Sequence, residues 1–156
     1  WNQGGGSMMS EAAAGQFTNN VKAMGFNSIA MYNMGGRVED YITYGTNSIM
    51  IREQMDTILD VPVFPCVSIG WDDTPRFPEK GIHDVVHYHN TPQSFATLLA
   101  KAKKYADRHP EQPRLITINA WNEWVEGSYL LPDMLNGFSY LEAVKEVIID
   151  GKYDRY

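Results

Sequence analysis

Short apolar runs alternate with amphipathic helical stretches along this chain, and the alternation narrows the folds open to it. Ser10 is a good N-cap, and Ala12–Ala14, Phe17, Val21 and Met24 form a helical stripe that Gly25 stops. Phe26–Tyr32 then reads as a strand. Asn47 or Ser48 caps a second helix with Ile49, Ile51, Met55, Ile58 and Leu59 on its apolar face. A strand follows with its core at Phe64–Ile69, its two prolines falling near the start, where a missing N–H is tolerated. Thr91 caps and Pro92 opens a third helix that runs to about Arg108, carrying Phe95, Leu98, Leu99, Ala102 and Tyr105. Leu115–Ala120 is a third strand, and Tyr140–Ile149 a last helix closed by Gly151. Such alternation predicts parallel strands joined by right-handed crossovers. The long, chemically rich loops, Asn33–Thr46 and Gly70–Asn90 among them, follow strands, while the helix-to-strand loops at Gly25 and Asp60 are short. That asymmetry points to an α/β protein of the (β/α)8 TIM-barrel type, whose sites sit at the C-terminal ends of the strands. Three or four strands are about half of one. A doubly wound sheet is the runner-up, but no G-x-G-x-x-G opens a helix after a strand.

The length of 156 residues suits one domain, residues 1–156, read here as the C-terminal part of a single barrel. A net charge of −6 argues against nucleic acid as a partner. No run of about 18 apolar residues exists, so no membrane span is expected. Cys66 is the only cysteine and lies inside an apolar strand, where core packing is favoured over a nucleophilic role. The chain opens at Trp1, so it reads as a piece of a longer protein or a processed one. Residues 1–9 are a Gly-rich loop in which Trp1 and Asn2 are either the tail of an earlier strand-end loop or a disordered terminus. The cellular location is left open, with a periplasmic or secreted setting favoured.

The chemistry concentrates where the third strand ends. Leu115–Gly127, LITINAWNEWVEG, passes from a β-branched apolar run into Trp121, Asn122, Glu123, Trp124, Glu126 and Gly127. Indoles stack on the apolar face of a sugar, while carboxylates handle its hydroxyls and glycosidic oxygen. On an extended strand Glu123 and Glu126 would face opposite ways. In a turn-like segment they share one side at roughly 5–6 Å, which suits the carboxyl pair of a retaining glycosidase, and Gly127 permits such a turn. The bland alternative is a solvated loop edge, which the flanking tryptophans and Asn122 disfavour. Gly70–Phe77, GWDDTPRF, also follows a strand: Trp71 offers a sugar platform, Asp72 or Asp73 a hydroxyl acceptor, and Arg76 a partner for a carboxylate. An Asx-type turn with a structural Asp–Arg pair explains the same residues equally well. Tyr129, Tyr32 and Asn33 complete the candidate sugar contacts, and Tyr41 and Tyr44 either line the cleft or pack. His83, His87 and His89 superficially suggest a metal site but read better as polar loop histidines. No cofactor or metal is expected.

The stretch AWNEWVEGSYLLPD with the following GFSYLEAVKEVI, together with SIGWDDTPRF, resembles the glycoside hydrolase family 99-like proteins, including the WbsX-type group of bacterial polysaccharide loci. The two motifs and the helix between them cover most of residues 60–150, and GFNSIAMYN matches less distinctively. The resemblance implies a (β/α)8 barrel acting on α-linked, mannose-like sugars, endo-α-mannosidase being the characterised relative. It implies that Glu126 is the acid/base and Glu123 the base at the sugar 2-hydroxyl, with retention through a 1,2-anhydro sugar. Two departures stand out. Asp73 stands where Asn is commoner, and Leu131 stands where relatives carry an acid, which puts one contact near the site in doubt. A half-barrel alone is expected to be inactive and to need its missing N-terminal half or a second copy. Two other readings stay in play: a glycosyltransferase of surface-polysaccharide (O-antigen) synthesis, and a non-catalytic carbohydrate-binding remnant.

Overall fold

The computed structural model describes residues 10–34, 39–80 and 86–153. Trp1, Asn2, Gly35, Gly36, Arg37 and His83 lie outside the described residues. Helix α1 (Glu11–Ala23) starts at Ser10, whose hydroxyl accepts from the Ala13 N–H, and gives way at Gly25 (φ 83°). It is followed by a short β1 (Ile29–Ala30) and β2 (Glu39–Asp40). Helix α2 (Tyr41–Ile58) then begins several residues before the expected Asn47 or Ser48. Asp40 is the actual cap, accepting from the Thr43 N–H at 3.1 Å. The reason is chemical. The buried face of α2 is Tyr41, Gly45, Ser48, Ile49, Arg52 and Met55, so half of its helical stripe is not apolar.

Strands β3 (Val63–Phe64) and β4 (Cys66–Ser68) are one extended run interrupted at Pro65. β3 pairs in parallel with β1, Ile29 opposite Val63. β4 pairs in parallel with β6 (Thr117–Asn119), Cys66 opposite Thr117. Proline has no N–H to give, and it sits where the run changes partners; its carbonyl still accepts from the Thr117 N–H at 2.9 Å. The strand positions thus follow in chain order, β1, then β3 with β4, then β6, each step crossing over through a helix. No closed barrel forms among the described residues.

The segment expected as one long loop contains β5 (His87–Tyr88), parallel to β2. Helix α3 (Pro92–Asp107) starts as expected, with the Thr91 hydroxyl accepting from the Ser94 N–H at 3.1 Å. After β6 come a tight hairpin, β7 (Asn122–Glu123) and β8 (Ser128–Tyr129), and helix α4 (Ser139–Val144), which runs on as a wider turn over Lys145–Ile149.

The main core lies between α2, α3, α4 and β4 and includes Tyr41, Ile49, Val67, Phe95, Leu98, Leu99 and Val147. A smaller cluster of Ala14, Met55, Leu59, Val61 and Val63 joins α1, α2 and β3. Tyr41 is fully buried, and its hydroxyl donates to the Ser68 carbonyl at 2.5 Å. Arg52 is buried too and donates to the Cys66 carbonyl at 2.8 Å. Cys66 is fully buried, and burial pushes its thiol up, which fits a packing role.

Two glycines within helices should respond oppositely to alanine. A Cβ on Gly45 would overlap the Leu98 Cδ1 methyl, and Leu98 is fully buried with nowhere to swing. Gly45→Ala should therefore lose up to about 2 kcal/mol, because overpacking of roughly 1–3 kcal/mol outweighs a helix-propensity gain of about 1 kcal/mol. Gly15 in α1 is exposed and has open space around it, so Gly15→Ala should gain roughly 0.5–1 kcal/mol. Thermal melts of the two variants check both signs.

Candidate active site

The site forms where β4 and β6 end side by side. The pairing continues past β4, the Ile69 N–H donating to the Asn119 carbonyl at 2.7 Å. Beyond that point the two chains turn into separate loops that touch again. The Asp72 N–H donates to the Glu126 carbonyl at 2.8 Å. A Cβ on Gly127 would lie 3.1 Å from the Asp72 Cβ, and Gly127 itself sits at φ 59°. Both facts favour glycine there: the left-handed conformation and the close approach. The turn over Trp124–Glu126 is a single 3-10 turn, so the strand curls between the two glutamates as the motif requires.

Arg76 joins the acids. Its Nη1 donates to Glu126 Oε1, and its Nη2 lies 3.5 Å from Glu123 Oε1. One guanidinium thus touches both carboxylates, so the two acids converge on a single cation. It also shows that Arg76 partners the glutamates rather than Asp72 or Asp73. Those aspartates build the turn that carries it. Asp72 Oδ1 accepts from the Thr74 N–H at 2.9 Å, and the Asp73 carbonyl accepts from the Arg76 N–H at 3.0 Å. The Asx-turn reading of Asp72 therefore holds alongside any contact with a ligand.

The two acids live in different surroundings. Glu126 is only 7% exposed, and its Oε2 has no hydrogen-bond partner among the described residues. Burial pushes its carboxyl above the ordinary 4.5; Arg76 pulls it down, while Glu123 and Asp73 push it further up. Desolvation wins because the guanidinium is itself 42% exposed and partly screened. Glu123 is about a third exposed and lies 3.5 Å from the Tyr32 hydroxyl at the end of the first strand.

The aromatic rings face solvent. Trp121, Trp124 and Tyr32 are about half exposed or more. Trp124 stacks on Tyr129 with centroids 4.0 Å apart, which fixes one indole beside the acids. Asn122 is exposed on β7, and Trp71 is half-buried, its carbonyl accepting from the His87 N–H. Asn33 lies one residue beyond Tyr32, half-buried. Tyr44 stacks on His87 at 4.9 Å, so Tyr41 and Tyr44 pack. His87 is buried, and desolvation lowers its pKa to about 4, whereas His89 is exposed and pairs with Asp40 at 3.0 Å. No group of three metal-ligating side chains occurs among the described residues. No helix among them is long and apolar enough to cross a membrane.

Sequence reasoning missed the buttress of the hairpin. Buried Ser128 donates its hydroxyl toward both the carbonyl and the Oδ1 of Asn119, at 2.8 and 2.9 Å. The hint was a polar pair flanking the WNEWVEG turn on both sides, in positions otherwise suited to apolar residues.

Comparison with known proteins gives the chain a family. A family model described as Glycosyltransferase WbsX matches residues 6–144. "Uncharacterized protein WxcX" from two strains of Xanthomonas campestris pv. campestris is 34% identical over 90 residues, 57% of this chain. The chain spans 12% of the length of these curated relatives.

Two outcomes test the electrostatics. A carboxyl with a raised folded-state pKa binds its proton more tightly when folded. Its contribution thus favours the folded state at low pH and is lost as pH rises from near 4.5 through the shifted value. The melting temperature of Glu126→Gln minus that of the wild type should therefore grow as pH rises through this window; a pH-independent difference contradicts the assignment. Arg76→Gln removes the lowering influence found among the described residues, so Glu126 should titrate higher still in a carboxyl-carbon NMR titration.

Proposed function

Because the chain belongs to the family described as glycosyltransferase WbsX, a family of glycan-active enzymes, we propose that it supplies the catalytic end of a retaining glycoside hydrolase acting on α-linked, mannose-like glycan. The observation that carries this reading is the pair of glutamates on one guanidinium, with only Glu126 buried. A general acid for a glycosidic oxygen must hold a proton near neutral pH, and burial supplies the push. Glu126 protonates the departing oxygen. Glu123 takes the proton of the sugar 2-hydroxyl, and that oxygen closes on the anomeric carbon as the glycosidic bond breaks, giving a 1,2-anhydro sugar. Glu126, now a carboxylate, accepts a proton from water as the water attacks the anomeric carbon, the bond from that carbon to O2 breaks, Glu123 returns its proton to O2, and configuration is retained. Arg76 holds the two carboxylates in place. Trp71, Trp121, Trp124, Tyr32 and Tyr129 supply sugar-stacking surface, and Asp72, Asp73, Asn33 and Asn122 polar contacts.

The fold proposed for the whole enzyme is a (β/α)8 barrel, to which β1, β3, β4 and β6 contribute adjacent parallel strands. Parallel pairing in chain order and a site at the strand C-termini support it. A second reading, transfer rather than hydrolysis, is favoured by the description of the matching family model. It requires an activated sugar donor, and a strict dependence of turnover on a nucleotide sugar would mark it.

In the full-length protein, Glu126→Gln should lower kcat by at least roughly a thousandfold, and Glu123→Gln by a similar factor, with binding of intact glycan kept. Near-normal turnover in either variant removes that residue from the mechanism.

A further inference from the structure

We propose that a cavity behind the catalytic hairpin is a subsite for one neutral sugar ring of the glycan. The proposal rests on the glycan-active reading above and adds a contact for the same substrate. The cavity has a volume of about 270 Å³ and is lined by Ile69, His89, Asn90, Tyr129, Asn136 and Tyr140, with Gly127 at its edge. Ile69 follows β4, His89 and Asn90 precede α3, Tyr129 ends the hairpin, and Tyr140 lies in the first turn of α4. All of these are on the strand-end side of the molecule, and Gly127 adjoins Glu126 in the chain.

Its chemistry is that of a sugar pocket. Two tyrosine rings and Ile69 give apolar surface for a ring face, and two amides and an imidazole give hydroxyl contacts. The volume lies just below the roughly 300–1,000 Å³ of sites for drug-sized ligands, so it holds one ring rather than an oligosaccharide.

The walls are fixed before any ligand arrives. Tyr129 is stacked on Trp124. The Tyr140 hydroxyl donates to the Asn90 carbonyl, tying α4 to the start of α3. Asp133 holds the loop at the rim through the N–H groups of Leu135 and Asn136, at 2.8 and 2.5 Å. Ordering entropy is therefore largely lost on folding rather than on binding.

The charge around the cavity selects against acids. His89 Nδ1 sits on Asp40 at 3.0 Å, and Asn136 Nδ2 donates to Asp133 Oδ2 at 3.1 Å. A carboxylate thus stands behind both polar contacts, and no Lys or Arg is among the described lining residues. A uronic acid would meet like charge there, whereas a neutral sugar hydroxyl would meet His89 Nε2 and the Asn136 carbonyl.

The test is a ligand-observed NMR titration on the full-length Glu126→Gln protein, so that no probe is consumed. The probes are the neutral methyl α-glycosides of mannose, glucose and galactose, with methyl α-glucuronide as the charged control. Leu135 is 89% exposed at the rim, so Leu135→Trp covers the cavity without disturbing the core. His89 has φ 61°, a conformation asparagine tolerates, so His89→Asn removes the ring and keeps the backbone. At least one neutral glycoside should bind in the millimolar range, and each variant should weaken it by roughly fivefold or more while its melting temperature holds. The glucuronide should not compete. Failure of every neutral probe to bind, unchanged affinity in both variants, or equal binding of the glucuronide overturns the proposal. The readout needs no turnover, so failure of the hydrolytic reading appears in rates and failure of the subsite in this titration.

Discussion

The site depends on one seam, the contact between the loop after β4 and the turn after β6. Parallel pairing brings Ser68 and Asn119 level, and backbone pairing ends one residue on, with the Ile69 N–H on the Asn119 carbonyl. What keeps the two loops together beyond it is the hydrogen bond from the Asp72 N–H to the Glu126 carbonyl and the close packing of Asp72 on Gly127. Arg76 reaches both glutamates because the Asp72–Arg76 turn is pinned at that point. A larger residue at position 127 would strain the backbone and push Asp72 away together. The carboxylates, the guanidinium and the stacked Trp124–Tyr129 pair all hang from this contact.

The seam also buries Glu126, and burial separates two chemically identical side chains. Glu123 keeps about a third of its surface in water, while Glu126 keeps less than a tenth. The positive charge of Arg76 opposes the loss of water around Glu126 and does not overcome it. A neighbouring cation that is itself half in solvent is a weak counterweight to desolvation. The pair is thereby split into one desolvated acid whose carboxyl is pushed up and one side chain open to solvent, and the proposed hydrolytic mechanism gives them different jobs for that reason.

Much of this was legible in the sequence, and the gaps have physical causes. The caps of α1 and α3 at Ser10 and Thr91 were readable because capping is local chemistry. The turn between Glu123 and Glu126 was readable from Gly127. The start of α2 was not, since Gly45, Ser48 and Arg52 face inward and break the apolar stripe. The change of partner at Pro65 was hidden because it depends on two strands distant in sequence. Arg76 was expected near a carboxylate, but only the fold shows that its partners are 47 and 50 residues away. The cavity beside the hairpin draws on separate chain segments and carries no motif at all.

The measurement that tests the account most directly is the anomeric configuration of the first-formed product, followed by proton NMR as the full-length protein acts on an α-linked mannan oligosaccharide without nucleotide sugar. The account predicts a reducing sugar that appears first as the α-anomer and mutarotates afterwards. A first-formed β-anomer contradicts the retaining mechanism, and no product until a nucleotide sugar is added contradicts hydrolysis.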